Sequence, residues 1–337
     1  MYDLIIIGAG PAGLSMAAEA RAAGISADKV LILEKGEAHS WSIRKFYPEK
    51  KLVEANYKGK PAVCSGVMCI TDLSKYETLT YLDKAIEQHD LEVRYQEGVT
   101  AIKQRDGGDF EVRSSLASYE SKVCVIAIGI LGRPNKPNYK DPVKVRKRVH
   151  FDVTSREYKD QSVLVVGGGD SASEYVQYLV QCGNDVTLSY RRESFHRMTS
   201  LNRESLLALE QRGKVQILRG SNIESLSEEE GRPRAHFAKE EHCDRSFDHI
   251  IYALGGSTPE NFLREVGIAF QGKHPAVTQG YETSIKGLYL IGDLTPESGS
   301  IILAFNSSRD AMRDICDSHL GCTIPPPRDP GTHESKP

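Results

Sequence analysis

Two short glycine-rich stretches carry the clearest chemistry in this chain. Gly8-Ala9-Gly10-Pro11-Ala12-Gly13 follows the apolar run Leu4-Ile5-Ile6-Ile7, and Gly167-Gly168-Gly169-Asp170-Ser171-Ala172 follows Val163-Leu164-Val165-Val166. Between a strand and a helix this spacing has a physical meaning. The first glycine makes a tight turn, the second lets a pyrophosphate approach the backbone, and the small last residue lets helix and strand pack closely. The phosphate charge then rests on the helix N-terminus. Glu34 follows Gly13 by 21 residues and ends the run Val30-Leu31-Ile32-Leu33, with Lys35 beside it. A carboxylate there accepts bonds from both ribose hydroxyls and disfavours a 2′-phosphate. After the second turn, the run from Asp185 to Tyr190 leads instead into Arg191-Arg192, with Arg197 five residues on. Guanidinium forks suit a phosphate dianion, so the ligand expected there is NADPH rather than NADH.

Both turns need strands and helices to hold them. A first helix is expected from about Pro11 to Gly24, with proline in its first turn and glycine just past its end. Ser74-Lys75-Tyr76-Glu77 predicts a capping box that opens a helix whose buried stripe is Leu79, Leu82 and Ile86. Residues 123–131 form the longest strongly apolar run, nine residues, and predict a buried strand. Beyond it, Arg133-Pro134-Asn135-Lys136-Pro137 predicts a linker, and a return crossing is expected near residues 256–259. The tail from Ile324, with three consecutive prolines, predicts disorder. The two glycine turns lie 159 residues apart, so they predict two complete dinucleotide-binding domains rather than a short repeat.

Composition narrows the class further. The chain has 337 residues, enough for about two domains, and its 39% hydrophobic and 26% charged residues predict a folded, water-soluble protein. Its apolar runs fall far short of the roughly 20 residues a membrane span requires. The start Met1-Tyr2-Asp3 has no basic segment before its apolar run, which predicts a cytoplasmic location. Seven cysteines without a Cys-x-x-Cys pair predict reduced thiols, and the net charge of −3 gives no general attraction to nucleic acid. No metal site is expected.

At this point the chain resembles a known family, the two-domain flavoprotein disulfide reductases, and within it the short thioredoxin-reductase-like branch. The likeness covers roughly residues 1–320. Ala127-Ile128-Gly129 resembles the Ala-Thr-Gly strand end of that family, with Ile128 for the threonine. Gly167 to Ala172 with Glu174 resembles the branch's second glycine turn, and Tyr190-Arg191-Arg192 its His-Arg-Arg stretch, with Arg197 displaced by one position. Thr283 to Asp293, ending in Leu290-Ile291-Gly292-Asp293, is similar to the second FAD motif. The resemblance implies FAD at the first glycine turn. Gly129, Gly292 and Asp293 would line it, Asp293 holding the ribityl hydroxyls, and a helix starting near Ser300 or Ile301 would aim its N-terminus at the flavin. It also implies an architecture of two Rossmann-like three-layer α/β domains, the second inserted in the first. The FAD domain would comprise residues 1–132 and 257–323, the NADPH domain residues 133–256, and residues 324–337 the tail. A homodimer is implied as well, formed without an added C-terminal domain.

The pattern also breaks in places. Where thioredoxin reductases of this branch carry Cys-x-x-Cys, this chain has His150-Phe151-Asp152-Val153, which removes the usual dithiol relay to thioredoxin. Ser42-Ile43 and Tyr47-Pro48 resemble the bacillithiol disulfide reductase family, but Ala12 stands where that family has a cysteine. Cys64-Ser65-Gly66-Val67-Met68-Cys69 has a Cys-x4-Cys spacing. If the segment is a strand, positions five apart face opposite sides, so its sulfurs are expected not to meet. Two basic stretches, one of Arg44, Lys45, Lys50, Lys51, Lys58 and Lys60 and one of Lys136, Lys140, Lys144, Arg146, Lys147 and Arg148, read as solvated surface. The sharper reading is docking of an acidic electron carrier such as a ferredoxin or flavodoxin.

The preferred expectation is an FAD-dependent NADPH oxidoreductase that passes electrons to an unidentified small molecule, disulfide or carrier protein. A flavin-dependent monooxygenase and a non-enzymatic FAD- and NADPH-binding sensor are the alternatives.

Overall fold

The computed structural model describes residues 1–49, 51–55, 63–130, 134–154, 156–239, 241–255, 259–272, 274–295 and 299–327. The chain divides into two compact units, each an α/β layered fold around a Rossmann-like sheet, mixed in unit 1 and parallel in unit 2. Unit 1 comprises Met1–Arg44, Leu52–Gly132 and Thr258–Pro337, and unit 2 comprises Lys45–Lys51 and Arg133–Ser257.

In unit 1 the run after Met1 forms the strand Tyr2–Ile7, flanked in parallel by Val30–Leu33 on one side and Ser118–Ile126 on the other. Val93–Arg94 extends the first edge, and Leu288–Leu290 pairs in parallel with the C-terminal half of Ser118–Ile126. The N-terminal half of Ser118–Ile126 pairs antiparallel with Phe110–Ser114, which carries Val99–Gln104, completing seven strands. Side chains alternate across such a sheet. Ile5, Ile7, Leu31, Leu33, Cys124 and Ile126 accordingly share one buried face, while Ile6 lies on the side of Gly13 and the first helix.

That helix spans Pro11–Ala22 and is followed by Gly24 at φ +88°, as its proline and glycine predict. The capping box at Ser74 is present: Glu77 N–H donates to Ser74 Oγ at 3.2 Å, and Ser74 N–H donates to the Glu77 carboxylate at 2.8 Å. The helix it opens, Lys75–Gln88, buries Thr78, Leu82 and Ala85, whereas Leu79 and Ile86 are only half-buried. The stripe is therefore rotated from the expected one, with Lys75 also buried.

In unit 2 five parallel strands lie in the order Val215–Arg219, Asp185–Tyr190, Ser162–Gly167, His249–Ala253 and Val149–His150. Val163, Val165, Val186, Leu188 and Ile251 pack with Val176 and Leu179 of the helix Asp170–Gln181. The opposite face, with Leu164, Ile250 and Tyr252, is covered by Ile223–Glu229, Arg232–Phe237 and Arg245–Ser246, a three-stranded meander that supplies Leu226, Ala235 and Phe237. Lys45 and Lys51 bind this unit through ion pairs to Asp152 at 3.1 Å and Glu174 at 2.8 Å.

Two expectations need correction. The cysteines are not all thiols: Cys64–Cys69 and Cys316–Cys322 are disulfides, and Cys124, Cys182 and Cys243 are free. The segment around Cys64 and Cys69 is irregular coil, not a strand, so alternation does not keep the sulfurs apart and their Cα atoms stand 5.5 Å from one another. The other pair closes where the C-terminal helix Ile301–Ile315 widens into a π-helical turn, Cys316–Leu320, and Gly321 at φ +65° turns the chain back. Ile324 and Pro325 are half-buried and the Pro325 carbonyl accepts a bond from Arg309; residues 328–337 lie outside the described residues. The expected return crossing falls mostly on residues 256–258, also outside them. Among the described residues no helix is long and apolar enough to cross a membrane.

Candidate functional site

In unit 1 the first glycine turn has the form its sequence requires. Gly8 sits at φ +103° with the Ala127 carbonyl pressed against it, so a Cβ there would lie 2.7 Å from that oxygen. A Cβ on Gly13 would lie 1.9 Å from the Gly8 carbonyl, which only glycine tolerates in this strand-helix contact. Gly10 is different. It is the helix N-cap, no side chain caps it, and a Cβ built on it meets only the Ala127 oxygen at 4.0 Å. An open, uncapped helix N-terminus starting at Pro11 and Ala12 fits a pyrophosphate.

Glu34 is buried at the end of its strand, with Oε2 accepting from Ala9 N–H at 2.8 Å and Oε1 from Gly36 N–H at 2.7 Å. The carboxylate thus braces the glycine turn from below while both oxygens keep a lone pair for ribose hydroxyls. Lys35 is exposed and lies against Gly98, apart from this cluster. Ser40 closes the turn from the other side: its N–H donates to the Ala9 carbonyl at 2.8 Å, and it is buried at φ +54°. His39, also buried, stands 2.7 Å from Asp83 through Nε2, and burial, with the Arg44 charge behind it, holds its pKa down.

Gly292 and Asp293 reach the same place from the far end of the chain. Gly292 adopts φ +71°, and a Cβ on it would come 2.9 Å from the Ala12 Cβ. Asp293 accepts a bond from Gly299 N–H at 3.1 Å, and burial pushes its carboxyl pKa up. A desolvated carboxylate with one partner among the described residues fits the ribityl hydroxyls of a flavin. Ser300 caps the helix Ile301–Ile315, its Oγ accepting from Leu303 N–H at 3.1 Å, so Ile301 opens the helix where the sequence expected. Gly129, at φ +62° with nothing described within 4 Å of a built Cβ, lies three residues past the end of strand Ser118–Ile126.

In unit 2, Gly167 presses on the Ala253 carbonyl and on Ala172, while Gly169 is an uncapped helix N-cap with open space around it. Gly168 packs against the Tyr190 ring, 2.0 Å from where its Cβ would stand. Tyr190 stacks in turn on Phe195, with centroids 5.0 Å apart. This stack ties the segment bearing Arg191, Arg192 and Arg197 to the glycine turn. All three arginines are exposed and none makes an ion pair among the described residues. Ser171 is exposed at the head of its helix. Asp170 Oδ1 accepts from Thr199 N–H and Oγ1, each at 2.8 Å, and from Asn202 at 3.0 Å. It fastens the start of helix Ser200–Gln211 to the turn.

A family model described as pyridine nucleotide-disulphide oxidoreductase matches residues 5–292. The chain belongs to that family. It is an NAD(P)H-dependent flavoprotein oxidoreductase that binds FAD and a nicotinamide nucleotide. Curated relatives include a ferredoxin–NADP reductase of Ignicoccus hospitalis, 26% identical over 318 residues, 90% of this chain and 93% of that one. Another, from Streptococcus suis, is 27% identical over 308 residues, 90% of this chain and 89% of that one. Among solved structures, a bacillithiol disulfide reductase from Staphylococcus aureus aligns at TM-score 0.80 with 23% identity, covering 94% of this chain and 98% of that one. A Lactococcus lactis thioredoxin reductase aligns at 0.76 with 21% identity, covering 94% and 98%. These two likenesses establish the fold.

Sequence reasoning missed Ser40, whose left-handed backbone leaves no trace in residue type, and the run Asn306-Ser307-Ser308-Arg309. That run had a readable signal. Ser307, Ser308 and Arg309 are polar residues on a helix that must pack inward, and all three are buried.

Proposed function

We propose that unit 1 holds FAD through residues 8–13, Glu34, Gly129, Gly292 and Asp293, and that unit 2 holds NADPH through its own glycine turn and Arg191, Arg192 and Arg197. FAD domain and NADPH domain then follow the division near residues 132 and 256. Hydride passes from the nicotinamide to the flavin, which when bound supplies a two-electron centre, and from there electrons go to an acceptor: a small molecule, a disulfide or a carrier protein. The observation that carries this reading is the pair of open, uncapped helix N-termini at Gly10 and Gly169, each following a strand with parallel neighbours on both sides.

The chain's own residues bind and orient. N–H groups at the start of helix Pro11–Ala22 would receive the pyrophosphate. Asp293 would accept from hydroxyl groups, and the dipole of helix Ile301–Ile315 would favour negative charge at its N-terminus. The arginines, exposed and without an ion pair among the described residues, keep their forks available for a 2′-phosphate, which supports NADPH over NADH. Positioning of the two rings does most of the work, so no separate acid, base or nucleophile is required for the first step.

Of the first basic stretch, Lys45 and Lys51 are committed to ion pairs; Lys50, Lys58 and Lys60 lie outside the described residues. In the second, Lys144 pairs with Glu228 and Arg148 donates to the Asp248 carbonyl, while Lys136, Lys140, Arg146 and Lys147 stay exposed. This second stretch supports carrier docking more than the first. We place the enzyme in the cytoplasm, where NADPH is supplied, as a homodimer.

The test is anaerobic mixing of the purified flavoprotein with NADPH or NADH, followed by reoxidation with disulfides, ferredoxin, quinones or oxygen. Rapid flavin bleaching by NADPH and slow bleaching by NADH is expected. Absence of bleaching by either would leave a binding protein, not a reductase.

A further inference from the structure

The Cys316–Cys322 disulfide has no part in the scheme above, and the segment it closes is fastened to the elements that carry the flavin motifs of unit 1. Helix Ile301–Ile315 loosens into the π-helical turn Cys316–Leu320, where Gly321 N–H donates to the Cys316 carbonyl at 2.8 Å. Gly321, at φ +65°, then reverses the chain, and Cys322 returns to Cys316 with Cα atoms 4.6 Å apart. A loop this short costs little entropy to close, so the bond and the turn that brings its sulfurs together stand or fall with each other. Cys316 is buried, whereas Cys322 is half-buried between exposed Gly321 and Thr323. A reagent from solution therefore meets Cys322 first.

The closed segment is attached at both ends. His319 Nε2 meets Glu282 Oε1 at 2.8 Å, and the same oxygen accepts from Gly287 N–H at 2.7 Å. The His319 ring stands edge-on to the Tyr289 ring, with centroids 5.9 Å apart, and Tyr289 OH donates to Asp314 Oδ2 at 2.5 Å. Burial first, then the Asp314 carboxylate, pushes the Tyr289 pKa up, so its hydroxyl remains a donor. Farther along, the Pro325 carbonyl accepts from Arg309, which also pairs with buried Glu19 at 2.9 Å. These attachments land beside the flavin motifs. Glu282 and Tyr289 face each other across a β-bridge, and Tyr289 lies in the strand Leu288–Leu290, which ends two residues before Gly292. Arg309 and Glu19 join the last helix to the first, next to Ser307, whose Oγ accepts from Gly292 N–H at 3.0 Å, and Ser308, whose Oγ donates to the Ala12 carbonyl at 2.9 Å.

We propose that Cys316–Cys322 is a thiol-exchange site through which an external dithiol sets how tightly unit 1 holds its flavin. The proposal rests on the placement of FAD in unit 1 and takes no electrons from the flavin. One thiolate of the dithiol attacks Cys322 Sγ, the Cys316–Cys322 bond breaks, and Cys316 leaves as a thiolate that takes up a proton. The second thiol of the reagent, losing its proton, attacks the mixed disulfide and releases Cys322, which is protonated in turn. The sum is a dithiol and the protein disulfide giving a reagent disulfide and two protein thiols, and the reverse reaction closes the segment again. Disulfides of cytoplasmic proteins are usually transient, which fits an exchange site in the compartment proposed above. While the bond is closed, His319 backs Glu282 and the Pro325 carbonyl covers Arg309. Once it opens, the Gly292-Asp293 turn spends less of its time in the binding form, and the apparent Kd for FAD rises by the inverse of that fraction. Small dithiols and protein dithiols share this chemistry.

The test equilibrates the holoenzyme anaerobically in graded mixtures of reduced and oxidised dithiothreitol. At each ratio the cysteines are alkylated and mapped by peptide mass spectrometry, and FAD released on dilution is filtered off and measured by its fluorescence in air. The Kd for FAD should rise roughly tenfold, an ordinary size for coupling between two sites. The rise should coincide with alkylation of Cys316 and Cys322 rather than of Cys64 and Cys69. Because coupling is reciprocal, saturating FAD should raise the ratio of reduced to oxidised reagent needed to open Cys316–Cys322 by the same factor. Cys316→Ser/Cys322→Ser should release FAD as the reduced protein does, at every ratio. A pair that is never alkylated in the folded protein, or an unchanged Kd when it is, would overturn the exchange site and leave the flavin reading intact. A protein that holds no FAD in either state would overturn both. The titration of the unmodified protein decides the matter even if the double variant does not fold. Reduced thioredoxin tried beside dithiothreitol separates the two sources: opening by both assigns the site to protein dithiols, and opening by dithiothreitol alone to small ones.

Discussion

Asp293→Asn should weaken FAD binding while leaving the flavin-free fold as stable as before, or slightly more so. The carboxyl is desolvated, which raises its pKa, and among the described residues it receives one hydrogen bond, from Gly299 N–H. Asparagine keeps an oxygen for that bond, so the fold loses little. A flavin loses an ionised acceptor, and hydrogen bonds to charged groups contribute roughly 1.5–3 kcal/mol, about a 10- to 150-fold increase in Kd. The proton linkage has a definite sign. With its folded pKa above the unfolded value, the native state binds more protons in the window between them, so stability falls as pH rises through that window. In Asp293→Asn this fall disappears. The assay is FAD titration of the apoprotein by fluorescence quenching, together with thermal melts of the apoprotein from acid to neutral pH. An unchanged Kd, or an apoprotein melt lowered by the substitution, would refute the assignment of this carboxyl to the flavin.

Two further outcomes follow from buried charge. Arg309→Met should destabilise the protein by roughly 3–5 kcal/mol, because it removes one partner of a completely buried ion pair; denaturant melts check this, and Glu19→Leu added to it should recover part of the loss. His150 Nε2 and His249 Nδ1 lie 3.1 Å apart in unit 2, and burial first, then the Arg156 charge, lowers both pKa values to about 4. The unfolded chain therefore binds more protons between about pH 6.5 and pH 4, and stability should drop as pH falls through that range and level off below it. Melts of the whole protein across this range, with His150→Asn flattening the slope, are the check.

The two glycine turns were legible because steric demand writes itself into residue type: Gly8, Gly13 and Gly167 stand where a Cβ would strike a backbone oxygen or crowd it. The strand Val30–Leu33, the helix Pro11–Ala22 and the capping box at Ser74 were equally direct, since apolar runs, proline at a first turn and a Ser-x-x-Glu pattern act locally. What the sequence hid is long-range. Glu19 and Arg309 are 290 positions apart and Ala12 and Ser308 are 296, so no periodicity announces those contacts. Asp170 stands in the turn, and only the fold brings Thr199 and Asn202 to it. The cysteine loop was misjudged because alternation was applied to a segment without a ladder, held instead by Asn306, Glu19 and Tyr81.

The assignment of one nucleotide to each turn is tested most directly by comparing Gly10→Val with Gly169→Val. Both glycines have negative φ, −78° and −109°, and among the described residues beyond its chain neighbours a Cβ on either meets no atom nearer than 4.0 Å, so the added side chains enter the space that the proposal gives to a nucleotide. Measured as flavin content after purification and as anaerobic bleaching by NADPH, Gly10→Val should emerge without FAD, and Gly169→Val should carry FAD that NADPH no longer reduces. Full FAD content and normal bleaching in Gly10→Val, or loss of FAD from Gly169→Val alone, would contradict the account.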